Sequence, residues 1–267
     1  LFLNSYKNLQ TMKTNSALII GHPGHELRAF KILKDLKPDV YILTDGSGQN
    51  NDSRLHQSIK LIESLGATYK YSFIPFSDKE IYNIILSGDL DKIKQIKKQL
   101  LISVKENNYS EIYGDALEGF NPTHDICRYI INGIVAEMEK DNPKKPILNY
   151  DFLLDKIPDM LSQKENNLSF ELSPTELEMK IKAALDYPEL KAEVEMAIER
   201  FGVSSFSWEL YSRITDLNQI INWKNPFPYY EEIGRKRVVS GAYKNCIEFE
   251  KHIKPIAEIC LATTVFN

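Results

Sequence analysis

Ser16-Ala17-Leu18-Ile19-Ile20-Gly21 is an unbroken apolar run closed by a glycine, and His22-Pro23-Gly24-His25-Glu26 follows it directly. A run with no polar face suits a strand buried on both sides within a parallel sheet. Working outward, Leu27, Phe30, Leu33 and Leu36 return at helical spacing, and residues 40–44 (VYILT) read as the next strand. Asp45-Gly46-Ser47-Gly48 opens a polar loop, and residues 54–65 form a helix closed by Gly66. A short strand over 69–74, an amphipathic helix over 90–105 with Asp89 as its N-cap, and a strand over 111–114 come next. A helix over 124–140 then breaks at Asp141-Asn142-Pro143. The alternation predicts an α/β fold: a Rossmann-like, open, mostly parallel sheet with helices on both faces.

The pattern changes after about residue 150. Ser173-Pro174-Thr175-Glu176 is a capping box with proline in the first turn. It starts a helix to about residue 186, a second is expected over 189–200, and a last one over 243–261. The expected organisation is a loose tail over 1–15 (with Met12 as a natural start), a metal-binding α/β domain over 16–150, and a mainly helical C-terminal cap over 151–267.

Composition narrows the function classes. The 267 residues are 43% hydrophobic and 26% charged, as in ordinary soluble proteins. A net charge of −4 gives no ground for a nucleic-acid partner. No segment has the roughly 18 apolar residues of a transmembrane span, and the N-terminal stretch lacks the apolar core and cleavage pattern of a signal peptide. Cys127, Cys246 and Cys260 form no CxxC pair and read as reduced thiols. The expectation is a cytoplasmic protein with a small-molecule or glycan substrate, as monomer or oligomer.

The chain has five histidines, and two of them, His22 and His25, stand three apart just past the first strand. His124 follows a second strand end, at the start of the next helix. In an open parallel sheet, sites form beyond the carboxyl ends of the strands. Two loops at that edge would bring the three imidazoles together, and three protein ligands plus water is the catalytic zinc pattern. Spacing alone also fits a plain turn, because Pro23 and Gly24 are turn residues and the HExxH order is absent.

Beyond spacing, the GHPGHE segment resembles the AHPDDE motif of the PIG-L/LmbE-like de-N-acetylases, and the chain resembles a divergent bacterial member. Residues 54–66 resemble that family's Arg-helix-LG segment, and residues 113–125 resemble the segment ending in HPDH. The likeness spans about residues 16–140. It implies a zinc-dependent hydrolase that removes an N-acetyl group from an N-acetylated sugar or sugar conjugate, in polysaccharide or glycoconjugate biosynthesis. It also implies that His22, His25 and His124 hold the metal, His25 standing where the family has an aspartate ligand. Arg54 matches a substrate-contacting arginine, and Gly24 lies at the same substrate-facing turn. Asn121 replaces the first histidine of HPDH and would donate to the oxyanion. Gly24 also replaces the general-base aspartate, and glycine cannot take a proton.

An all-imidazole ligand set leaves the metal its full charge, which brings the pKa of bound water to about 7. Candidates for the missing base are Asp115 and Glu118, with His252 further off; Glu26 reads as support behind the ligands. The loop over 45–53, with Trp208, Trp223, Phe227, Tyr229 and Tyr230, would hold or stack on a sugar, or those aromatics pack the C-terminal helices. Alternatives are a metal hydrolase acting on another amide or ester, a catalytically silent sugar-binding protein that keeps its metal, and a metal-free scaffold. Imidazole ligands also suit iron, cobalt and nickel.

Overall fold

A computed structural model describes residues 15–48, 52–154, 167–221, 223 and 226–262; residues 1–14 of the expected N-terminal tail and residues 49–51 of the polar loop lie outside them. The founding run is strand β1 (Ser16–Ile20), and every residue in it is buried. It is flanked in parallel by β2 (Asp39–Ile42) and β4 (Glu111–Asp115). Strands β3 (Thr68–Tyr69) and β5 (Leu148–Phe152) extend the parallel sheet on either side. Two further strands, β6 (Leu168–Glu171) and β7 (Trp208–Arg213), complete seven, in the order β3-β2-β1-β4-β5-β7-β6. β7 runs antiparallel to both β5 and β6. The fold is the expected α/β class.

Alternation along β1 sorts the helices into two layers. Ala17 and Ile19 share a core with α3 (Asp78–Ser87), α4 (Leu90–Asn107), α5 (Pro122–Asp141) and α9 (Lys254–Leu261). Leu18 and Ile20 face α1 (Phe30–Leu36) and α2 (Leu55–Ser64). Fully burying each such aliphatic side chain contributes about 1.5–3 kcal/mol, which is why the central strand carries no polar face. The C-terminal region is mainly helical, with α6 (Pro174–Leu185), α7 (Lys191–Phe201), α8 (Tyr229–Val239) and α9.

Several elements differ from expectation. The boundary placed near residue 150 falls inside β5, and the C-terminal region lends β6 and β7 to the same sheet. Those strands alternate, but the inward position Glu209 is charged; it is satisfied by Lys180 Nζ at 2.7 Å, which hid the pattern. The expected strand over 69–74 stops at Tyr69, because the chain turns at residues 71–73 and Ile74 beyond the turn is exposed. The helix expected from residue 243 is a π-turn (Phe249–Ile253) followed by α9. Pro255 in α9's first turn has no N–H to continue an upstream ladder. Helix α3 was not anticipated, although Ser77 and Glu80 form a complete capping box. All three cysteines are unpaired.

Candidate metal centre

The strand order reverses between β1 and β4, the position where open α/β sheets form a crevice beyond their carboxyl ends. His22 and His25 leave β1 there. His124 enters from α5, whose N-cap Asn121 accepts from Thr123 N at 2.9 Å and whose first turn holds Pro122. The rings of the three histidines meet: centroids are 5.3 Å apart for His22–His25, 5.1 Å for His22–His124 and 4.4 Å for His25–His124. Ring centres of imidazoles sharing a tetrahedral zinc, with Zn–N of about 2.0–2.1 Å, stand roughly 5 Å apart.

Second partners set each tautomer. Thr44 Oγ1 donates to Gly21 O (3.1 Å) and so accepts from His22 Nδ1 (2.6 Å). Asp78 Oδ1 stands 3.2 Å from the same nitrogen, while its Oδ2 accepts from Gly48 N. His22 therefore carries its proton on Nδ1, and its Nε2 is buried with no partner. Burial would raise the Asp78 carboxyl, but His22, Thr44 and the Gly48 amide outweigh it and hold it well below the usual carboxylate range. His25 Nδ1 lies 2.9 and 3.0 Å from the two oxygens of Asp115, which leaves Nε2 unprotonated in the neutral ring. His124 is kept neutral by burial first and then by the neighbouring histidines, and its Nδ1 is likewise buried without a partner.

Among the described residues, no group of three or more His, Cys, Asp or Glu side chains is arranged, as it stands, to hold a metal ion. The three imidazoles are gathered with their rings in edge contact. The donor set nonetheless fits a divalent cation. Two buried ring nitrogens lack partners, each at a desolvation cost of about 1–3 kcal/mol, and an ion between the rings would satisfy both. Carboxylates such as those behind His22 and His25 are among the usual orienting partners of ligating histidines.

The other singled-out residues take varied positions. Asp115 is fully buried and also accepts from Gly21 N at 2.7 Å. Its backbone carbonyl accepts from Arg128, whose guanidinium continues to Asn149 Oδ1 and Tyr150 O. Glu118 turns both carboxylate oxygens to Leu154 N (3.0 and 3.1 Å). Arg54 Nε donates to Gly46 O at 2.7 Å, lying along the polar loop. Glu26, fully buried, accepts from Gly24 N, Ser58 Oγ and the Tyr187 hydroxyl, and so ties the histidine loop to the turn after α6. His56 is exposed, and His252 Nδ1 accepts from Glu248 N inside the C-terminal π-turn. Gly24 has φ of +101°, and a β-carbon there would lie 2.7 Å from Leu190 Cδ1. The space beside that glycine is therefore occupied by an apolar side chain.

Sequence reasoning did not find Thr44, Asp78, Leu190 or Phe120. The Ser77–Glu80 capping box after the short strand was the available signal for Asp78; the others depend on packing. Of the aromatics, Tyr229 stacks on Phe120, centroids 5.2 Å apart and 6° from parallel, and Phe120 stands 6.4 Å from His124. Tyr230 is buried, and Trp208 lines a separate small cavity with Arg28 and Lys180.

No family model matches the chain, and no curated protein sequence matches it. Solved structures do resemble it in shape. One is a deacetylase triple mutant (Orf2*T) of the teicoplanin biosynthetic pathway, with TM-score 0.51 and 13% identity over 76% of this chain and 100% of that one. A deacetylase–teicoplanin complex from the same pathway gives TM-score 0.51 and 12% identity, with the same coverage. A deacetylase–bog complex gives 0.50 and 11%, again over 76% and 100%. The chain is thus an α/β protein with the fold of these deacetylases. No helix among the described residues is long and apolar enough to cross a membrane.

Proposed function

We propose that the chain is a metal-dependent amide hydrolase of PIG-L/LmbE-like type, with zinc as the ion, that removes the N-acetyl group from an N-acetylated sugar or sugar conjugate. The observation that carries this reading is the meeting of His22, His25 and His124 from two loops, with two buried ring nitrogens that have no hydrogen-bond partner among the described residues. The deacetylase fold supports it.

In this reading the three histidines hold the ion, which when bound supplies a Lewis acid for the acetyl carbonyl and an acidified water. Thr44 and Asp78 keep the His22 proton on Nδ1, and Asp115 does the same for His25. The negative charge that the resemblance places on a ligand thus sits one residue further out, on Asp115. That task, with its complete burial, moves Asp115 from general base to positioning residue. Glu118 accepts from the Leu154 amide with both oxygens, which orients its carboxylate toward the end of β5. Asn121 uses Oδ1 for its cap, which leaves its NH₂ to donate to a developing oxyanion. Arg54 borders the polar loop where a sugar hydroxyl would lie.

One observation favours a second reading, a metal-containing sugar-binding protein without turnover. Leu190 fills the space beside Gly24, where the resemblance would place the base. Metal analysis after zinc loading, paired with amine release from a panel of N-acetylated sugars and nucleotide sugars, decides between them. The hydrolase reading expects about one zinc per chain together with amine release. Zinc without release across the panel leaves the binding protein, and no zinc at all removes the centre.

A further inference from the structure

Beside His124, two aromatic rings stand partly exposed and stacked on each other. Phe120 is 38% exposed and Tyr229 52% exposed. They are stacked nearly parallel, and Phe120 is tilted 37° to the His124 ring at 6.4 Å. Neither side chain is loosely placed. Phe120 sits in a loop whose Glu118 and Gly119 amides both donate to Asp125 Oδ1, at 3.1 and 3.2 Å. The Asn121 cap fixes the loop's far end. From the other side, Tyr230 N donates to Gly119 O. A β-carbon on Gly119 would come within 3.0 Å of Pro228 and of the Trp223 ring, so only glycine lets this loop lie so closely under the start of α8. Two elements distant in sequence are thus joined through their backbones, which sets Phe120 beside His124 with Tyr229 stacked on it.

We propose that Phe120 and Tyr229 form a sugar-stacking platform that makes the site selective for a pyranose ring carrying the acetamide, over an acyclic N-acetylated amine. The inference rests on the hydrolase reading for what lies at the histidines. A pyranose presents a face of axial C–H bonds that packs on an aromatic ring, whereas a flexible acyl amine has no such face. The short separation from His124 places one sugar ring over Phe120 while its acetamide reaches the imidazoles. Tyr229 backs Phe120, broadening the ledge and holding its angle.

The test compares wild type with Phe120→Leu and Tyr229→Leu, which keep apolar bulk and remove the π face. Saturation-transfer NMR on zinc-loaded protein uses the methyl glycoside of N-acetylglucosamine and, as acyclic control, its ring-opened alditol. Wild type is expected to show transfer concentrated on one face of the glycoside ring. Each leucine variant should lower the preference for glycoside over alditol, read as a Kd ratio, roughly five- to tenfold, the size of one aromatic contact. Zinc content should stay at the wild-type level. An unchanged ratio, or equal loss for both ligands, overturns the platform. Absence of transfer to the glycoside in wild type also overturns it, whether or not amine is released. Face-selective binding without amine release sinks hydrolysis and leaves the platform standing; amine release with unaffected leucine variants does the reverse.

Discussion

At the scale of single residues, the site works by transferring demands outward. Imidazole ligands bring no charge to an ion, and the carboxylates that touch them stand behind the rings, Asp115 on His25 and Asp78 on His22. Asp115→Asn keeps an acceptor for Gly21 N but weakens the hold on His25. It is expected to reduce zinc affinity about 10–100-fold, measured by chelator competition, with the folded structure retained by circular dichroism. An unchanged affinity would mean that His25 needs no orienting partner. Gly24 makes the opposite point, since a missing side chain is there a packing requirement. Gly24→Asp must accept a left-handed backbone and displace Leu190. A loss of about 2 kcal/mol in urea denaturation is expected, partly recovered when Leu190→Ala is added; a neutral Gly24→Asp would show that the turn is free to rearrange.

Among the elements, the helix starts decide where the site's supports stand. Helix α3 delivers Asp78 in its first turn, and the Ser77 side chain caps that turn by accepting from Glu80 N. Ser77→Ala is expected to cost about 1 kcal/mol of stability and to loosen the contact from Asp78 to His22. A chemical-denaturation midpoint equal to wild type would show that packing alone holds α3. Helix α6 is fastened to α1 through Glu176, which accepts from Lys31 and Lys34 as well as from Ser173. Burial would raise that carboxyl, but the two lysines and the cap outweigh it and depress it well below its ordinary value. A depressed carboxylate contributes stability above its unfolded pKa of about 4.3, and the contribution fades as pH falls through the folded value. Glu176→Gln should therefore lower stability by about 1–2 kcal/mol at pH 7 and progressively less below about pH 4. A difference that persists unchanged into strong acid would mean that the charge is idle.

For the whole molecule, the switch in strand order between β1 and β4 does what no single element can. It sets the ends of two strands side by side, so His22 and His25 from one and His124 after the other meet at one edge of the sheet. Buried ring nitrogens without partners mean that the folded state has unmet polar demand where an ion would lie. Zinc at about one hundred times its Kd is expected to stabilise the protein by about 3 kcal/mol. In a thermal melt that is a rise in Tm of roughly 6–10 °C, abolished in His124→Ala; an equal rise in that variant would place the ion elsewhere. The parallel sheet, its central apolar strand and the helices over 90–105 and 124–140 were legible in the chain because each rests on local periodicity. So was the GHPGHE loop at a strand end, which marks two of the three histidines without bringing them to His124. The strands at 168–171 and 208–213 were not legible, because an ion pair between distant residues satisfies their inward charge. Nor were the commitments of Asp115 to His25, of Glu118 to a backbone amide, or of Phe120 to Tyr229, since each depends on which groups meet across more than thirty residues of chain. Local pattern determined the elements and named the imidazoles. Only tertiary packing decided which carboxylates turn toward them and which aromatic rings remain open beside them, because those choices turn on distances between elements that no stretch of sequence contains.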